Sequence, residues 1–138
     1  MRYNNPERWN LIKLDADRRK ELNRDSSLAL PGEKKNIPNA KFEGYIFNPK
    51  NKSGYAKGQA FESRLGYNID NWHELKKEIE DNIDIYPAIK KGTTKYGDRY
   101  EQKMILYGKF NNPANVVVAW LASYDGTTSM TSTYIKEV

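Results

Sequence analysis

Between residues 38 and 83 apolar side chains recur at helical spacing, and from residue 100 onward they alternate. Phe42, Tyr45 and Ile46 stand at i, i+3 and i+4. They predict a short helix over 38–47, opened by Pro38 and stopped by Pro49. Phe61 and Leu65, with Ala60 beside them, predict a second helix over 55–65 that Gly66 closes. Trp72, Leu75, Ile79 and Ile83 predict a third over 71–83. Asn71 followed by Glu74 resembles a capping box there, and Pro87 blocks any continuation. The period then changes. Residues 85–91 read as a short edge strand that tolerates Pro87, and Lys91-Gly92-Thr93-Thr94 reads as a loop. Over 100–107, Tyr100, Gln102, Met104 and Leu106 fall on one face and Glu101, Lys103, Ile105 and Tyr107 on the other. The β-branched run at 115–123 predicts a central strand covered on both faces. Tyr124-Asp125-Gly126-Thr127 carries the Asp-Gly hairpin signal. Residues 128–136 form the last strand, with Ser132 and Tyr134 facing one way and Thr131, Thr133 and Ile135 the other.

Helices followed by a meander predict an α+β fold: N-terminal helices packed on a C-terminal antiparallel sheet whose other face is partly open. Residues 1–37 are the least regular. Leu11, Leu14 and Leu22 make only a thin stripe among the charge runs Arg18-Arg19-Lys20 and Lys34-Lys35. They read as a basic leader or linker ahead of a domain at 38–138.

Composition adds three constraints. The 138 residues fit one domain, and ten Tyr, three Trp and four Phe make its core aromatic-rich. The net charge of +5 permits a phosphate-bearing partner. Its excess sits early, with ten Lys/Arg against six Asp/Glu in residues 1–41 and thirteen against twelve in the rest. The absence of Cys excludes disulfides and thiolate metal sites. No stretch approaches the roughly 20 apolar residues of a membrane span, and Met1-Arg2-Tyr3-Asn4-Asn5 lacks the apolar run of a signal peptide.

Few chemistries remain. His73 is the only histidine and sits beside Trp72, where an exposed helical position is expected. Asp15 and Asp17 lie in the irregular segment, so no metal site and no cofactor are expected. No Gly-x-Ser-x-Gly elbow is present, and Gly54-Tyr55-Ala56-Lys57-Gly58 falls short of a P-loop. What is left is basic and hydroxyl-rich. Lys57, at the predicted start of the second helix, stands where an anion would be drawn, although a surface lysine is common there too. Lys95, Arg99 and Lys103 recur at spacing four, with Arg99 and Lys103 on one sheet face. Tyr96, Tyr100, Tyr107 and Trp120 offer stacking surfaces for bases, or pack the core. The hydroxyls of Thr131-Ser132-Thr133-Tyr134 meet either solvent or a ligand.

Five blocks together resemble a known family: Lys41-Phe42-Glu43-Gly44-Tyr45-Ile46-Phe47-Asn48-Pro49; Ala56-Lys57-Gly58-Gln59-Ala60-Phe61 with Leu65-Gly66-Tyr67; Tyr96-Gly97-Asp98-Arg99-Tyr100-Glu101; Ala114-Asn115-Val116-Val117-Val118-Ala119-Trp120; and Met130-Thr131-Ser132-Thr133-Tyr134-Ile135. The order resembles an uncharacterised domain found at the C-termini of bacterial polymorphic toxins, similar to the barnase–EndoU–colicin–RelE class of ribonuclease toxins. The resemblance implies a barnase/RelE-like sheet with its site on the open face, and metal-independent endoribonuclease activity, with tRNA as one target. It implies delivery within a larger secreted toxin to the target-cell cytoplasm, a chain monomeric when free, and neutralisation by a cognate immunity protein. Lys57 and Arg99 would clamp phosphate, Ser132 would donate to non-bridging oxygens, and Tyr134 would shuttle a proton or stack a base. Lys95, Tyr100, Lys103, Thr131 and Trp120 would contact the RNA. The chain lacks the class's well-placed histidine, which leaves the general base unassigned. The alternatives are a non-catalytic nucleic-acid-binding or interaction module on the same scaffold, and a structural protein of a mobile element.

Overall fold

The computed structural model describes residues 6–138; the signal-peptide reading of residues 1–5 lies outside that range. Helix α1 (Pro6–Arg24) is followed by a 3-10 turn (Ser26–Leu28), strand β1 (Lys34–Asn36), a π-helical turn (Phe42–Ile46), α2 (Lys52–Leu65) and α3 (Trp72–Asn82). Strands β2 (Ala88–Thr94), β3 (Gly97–Leu106), β4 (Ala114–Ser123) and β5 (Thr127–Ile135) complete the chain. This is the α+β layout the pattern predicts. The meander β2–β5 is antiparallel throughout, but β1 joins it in parallel along β5, so the sheet is mixed, in the order β1-β5-β4-β3-β2. Gly126, at φ +92°, makes the β4–β5 turn that the Asp-Gly pair announces.

Residues opposed across a ladder share a face, so the register sorts the sheet's side chains. Tyr100–Trp120–Met130, Gln102–Val118–Thr133 and Met104–Val116–Ile135 form rows on one face. Arg99–Leu121–Ser129, Glu101–Ala119–Ser132 and Lys103–Val117–Tyr134 form rows on the other. The first face is the core. There Phe42 stacks on Trp72 with ring centroids 5.2 Å apart, and Phe61, Leu65, Leu75 and Ile79 are fully buried. Each such side chain contributes roughly 1.5–3 kcal/mol. Gln102 is buried among them with its bonds made: its Nε2 donates to Ile83 O and Tyr86 O, each at 2.8 Å, and Trp120 Nε1 donates to its Oε1. Glu78 ties α3 to the end of β3 by accepting from Tyr67 Oη and from the Tyr107 and Gly108 amides.

Four local expectations need correction. Residues 6–24 are a regular helix rather than an irregular leader. α1 lies on the second sheet face, where Arg18 donates to Asn115 Oδ1 at 2.7 Å and Leu11, Leu22, Ile105 and Val117 are buried. Lys91–Thr94 is not a loop, because β2 runs through it with a bulge at Lys91. Asn71 makes no capping box; its Oδ1 accepts from Asn68 N and its Nδ2 donates to Gly66 O, which fixes the α2–α3 turn instead. Thr131 does not share the face of Thr133. A bulge opposite Ala119 and Trp120 leaves it unpaired and exposed.

The anchor of α1 is Asp15, which is 8% exposed. Its carboxylate accepts from Tyr86 Oη, from Tyr107 Oη at 3.2 Å and from Arg19 Nε at 2.8 Å. Burial and the adjacent carboxylate hold the Tyr86 hydroxyl well above the usual tyrosine range. Asn in place of Asp15 presents an amide where a hydroxyl needs an acceptor. Asp15→Asn is expected to cost about 2–3 kcal/mol, the scale of hydrogen bonds to a charged group. An unchanged urea midpoint would show that α1 is not held this way.

Candidate functional site

The helix that carries Lys57 begins earlier than its apolar pattern indicates. Asn51 caps α2 by accepting from the Gly54 amide at 3.1 Å. Lys57 therefore lies in the second turn of the helix and not at its N-terminus, so the helix end does not explain its place. Two glycines do. A Cβ on Gly58 would stand 1.8 Å from Ile46 O, and one on Gly54 would stand 2.4 Å from Tyr45 O. Only hydrogen at these two positions lets α2 lie against the π-helical turn. That contact sets Tyr45 beside Lys57. β1 pairs only with Thr127–Ser129 of β5, and α2 packs against β5. From there Lys57 reaches Ser132.

The result is a compact cluster. Lys57 Nζ donates to Tyr45 Oη at 2.9 Å and to Ser132 Oγ at 3.2 Å. It lies 4.9 Å from the Tyr45 ring centroid and 5.5 Å from that of Tyr134. Lys57 is half-buried, and among the described residues no carboxylate forms a salt bridge with it. Two of its three N–H groups are used on neutral hydroxyls; the third is left for an incoming acceptor. The hydrogen bond from Lys57, seconded by one involving Ser53, holds the Tyr45 hydroxyl below tyrosine's ordinary value of about 10. A half-buried cation that shares its protons with hydroxyls rather than a carboxylate is arranged to receive an anion.

Next to this cluster the open sheet face dips into a cleft of about 580 Å³. Ala119 and Leu121 form its floor, Thr131 its near wall, and Lys91, Tyr96 and Arg99 its rim, with the half-buried Glu101 inside. A second, smaller cavity of about 220 Å³ shares Lys91 and Glu101 with it and runs on past Lys103 to Arg18 on α1. Lys91, Lys95, Arg99 and Lys103 form no salt bridge among the described residues.

The structure thus brings together Lys57, Ser132 and Tyr134. It sets Arg99, Lys95, Lys103 and Thr131 along the adjoining face rather than in the lysine's cluster. Two of the expected substrate contacts lie on the core face of the sheet. Trp120 is 1% exposed and points into the core, where its indole N–H is bonded to Gln102. Tyr100 packs against the same core, but it is half-buried and also lines the cleft. Of the other aromatics, Tyr107 is engaged by Asp15, whereas Tyr96 is 65% exposed with Lys95 Nζ 5.1 Å from its ring. His73 is exposed and stacks on Trp72. Among the described residues no three His, Asp or Glu side chains converge, and no helix is long and apolar enough to cross a membrane. Tyr45 and Glu101 are the site residues that sequence reasoning missed. The signal for Tyr45 was a hydroxyl at the end of an otherwise apolar helical stripe.

No curated protein and no solved structure matches the chain. One family model does, over residues 29–137, from just before β1 to the end of β5. The protein belongs to DUF6883, a family described as a domain of unknown function.

Proposed function

We propose that this domain is a metal-independent endoribonuclease whose reacting phosphate sits at Lys57. The observation that carries the reading is the Lys57 ammonium, bonded to Tyr45 and Ser132, flanked by Tyr134, and opening onto a cationic sheet face. RNA supplies its own nucleophile, so the site needs three things: a proton acceptor for the 2′-OH, positive charge for the phosphorane, and a proton donor for the leaving oxygen. Tyr45 as phenolate takes the 2′ proton while the 2′ oxygen bonds to phosphorus. The third N–H of Lys57 and the Ser132 hydroxyl bond the non-bridging oxygens. The bond from phosphorus to the 5′ oxygen breaks, and the Tyr134 phenol donates its proton to that oxygen. The products are a 2′,3′-cyclic phosphate and a 5′-hydroxyl. Lys95, Arg99 and Lys103 extend the positive charge for flanking phosphates.

The toxin resemblance supplies the setting for this chemistry: delivery within a larger protein and restraint by an immunity partner. An acidic partner surface laid over the Lys57 cluster and the adjoining rim would block both. Induced expression without such a partner is expected to arrest bacterial growth and leave discrete RNA fragments. Intact RNA in arrested or growing cells, together with salt-dependent RNA binding in vitro, would favour the non-catalytic binding module instead.

The pH dependence tests Tyr45. Because the reactive form is the phenolate, kcat/KM is expected to rise with pH, and to do so at lower pH than an ordinary tyrosine would give, since Lys57 stabilises that form. Tyr45→Phe should abolish the rise and lower the rate by about a hundredfold or more. A pH profile unchanged in Tyr45→Phe removes Tyr45 as the base.

A further inference from the structure

The proposed cleavage draws on the cleft beside Lys57 only for the charge of Lys95 and Arg99 at its edge, and leaves its floor and Glu101 without a role. Its floor of Ala119 and Leu121 is apolar, which suits the face of a flat ring and not a phosphate. Its rim is cationic, through Lys91 and Arg99. Its one carboxylate, Glu101, is half-buried on a face otherwise dominated by cations, and makes no salt bridge among the described residues. Glu101, Ala119 and Ser132 form a single cross-strand row, so the carboxylate stands about 10 Å of backbone from the lysine cluster. The small Ala119 between them leaves the space above the sheet open.

We infer that this cleft is a base-recognition subsite for an unpaired guanine adjoining the phosphate held at Lys57. The inference rests on the reading of Lys57 as the phosphate site. A carboxylate only accepts, and a guanidinium or ammonium only donates. The cleft therefore complements a base with donors on one edge and acceptors on another. Guanine presents neighbouring N1–H and N2–H₂ donors for the two Glu101 oxygens, and O6 and N7 acceptors for the Arg99 and Lys91 rim. Adenine lacks that donor pair and presents an acceptor in place of N1–H. The edge that Glu101 reads is closed in a duplex, so the site takes only unpaired RNA.

The test is equilibrium binding of short 2′-O-methyl oligouridines, which cannot be cleaved, carrying one central guanine, inosine or adenine. Wild-type protein is expected to bind the guanine strand about tenfold or more tightly than the adenine strand, with inosine between. Glu101→Gln should bring guanine and adenine within about threefold of each other. Lys57→Ala should weaken all three strands alike and leave the ratio intact. Equal binding of guanine and adenine by the wild type, or a guanine preference that survives Glu101→Gln, overturns the inference. If unmodified RNA is never cut yet the Glu101-dependent preference stands, the cleft is a base subsite and the cleavage reading alone fails.

Discussion

Lys57→Ala is expected to lower the rate of RNA cleavage by about a hundred- to a thousandfold, with little change in folding stability. The loss follows from what the side chain contributes. A single preorganised donor aimed at developing negative charge is worth about that factor when removed. Lys57 also carries the positive charge that holds the Tyr45 hydroxyl below its ordinary pKa. One substitution thus removes the phosphorane's cation and the activation of the base. Stability should not follow, because Lys57 is only half-buried and its bonds go to hydroxyls that water can serve. Lys57→Arg is a sharper control: it keeps the charge but lengthens the reach, so it should restore RNA binding and not the rate. Single-turnover rates and urea midpoints for both variants separate these effects. A rate in Lys57→Ala within threefold of wild type would remove the residue from the reaction.

Gly58→Ala has the second large effect, and its sign is opposite to ordinary helix propensity. Alanine is favoured over glycine inside a helix by about 1 kcal/mol. Here the added methyl would lie 1.8 Å from the Ile46 carbonyl oxygen, an impossible contact with backbone. α2 must move away from the π-helical turn or the turn must deform, at a cost of about 3 kcal/mol. Either response also separates Lys57 from Tyr45. Gly58→Ala should therefore lower both the urea midpoint and activity. Gly44→Ala is the control. A Cβ there meets nothing within 4 Å, and stability should be unchanged or slightly raised. Equal midpoints for the two variants would contradict the packing role of Gly58.

Those glycines also show what the sequence conveyed and what it withheld. The run from Gly54 to Gly58 fails as a phosphate loop, and its spacing of four marks instead one side of a helix pressed on backbone. The elements that were legible rest on local pattern. Trp72, Leu75 and Ile79 repeat at the helical period because they face one core, and Val116 and Val118 alternate into it. α1 was not legible because polar contacts fix much of its inner face. Asp15 and Arg18 find their partners 71 to 97 residues away, at Tyr86, Tyr107 and Asn115. β1 has three residues, all polar, and pairs through backbone with a strand at the other end of the chain.

At the site, strand alternation placed Ser132 and Tyr134 together, and the register puts them on the open face. Alternation could not foresee the bulge that turns Thr131 out. Nor could it tell which face of β4 the helices cover, and so it left Trp120 open between a stacking surface and the core, where the residue lies. Tyr45 stayed hidden because its partner lies on a different element, brought close only by Gly54 and Gly58.

In the proposed reaction the Lys57 cluster cleaves RNA with no metal ion. Purified protein incubated with single-stranded RNA in excess EDTA tests it most directly, with the new ends identified by mass spectrometry. Undiminished cleavage to 2′,3′-cyclic phosphate and 5′-hydroxyl ends, blocked by a single 2′-deoxy substitution at the cut, is the predicted result. RNA left intact by the wild-type protein, or cleavage that EDTA abolishes, would contradict it.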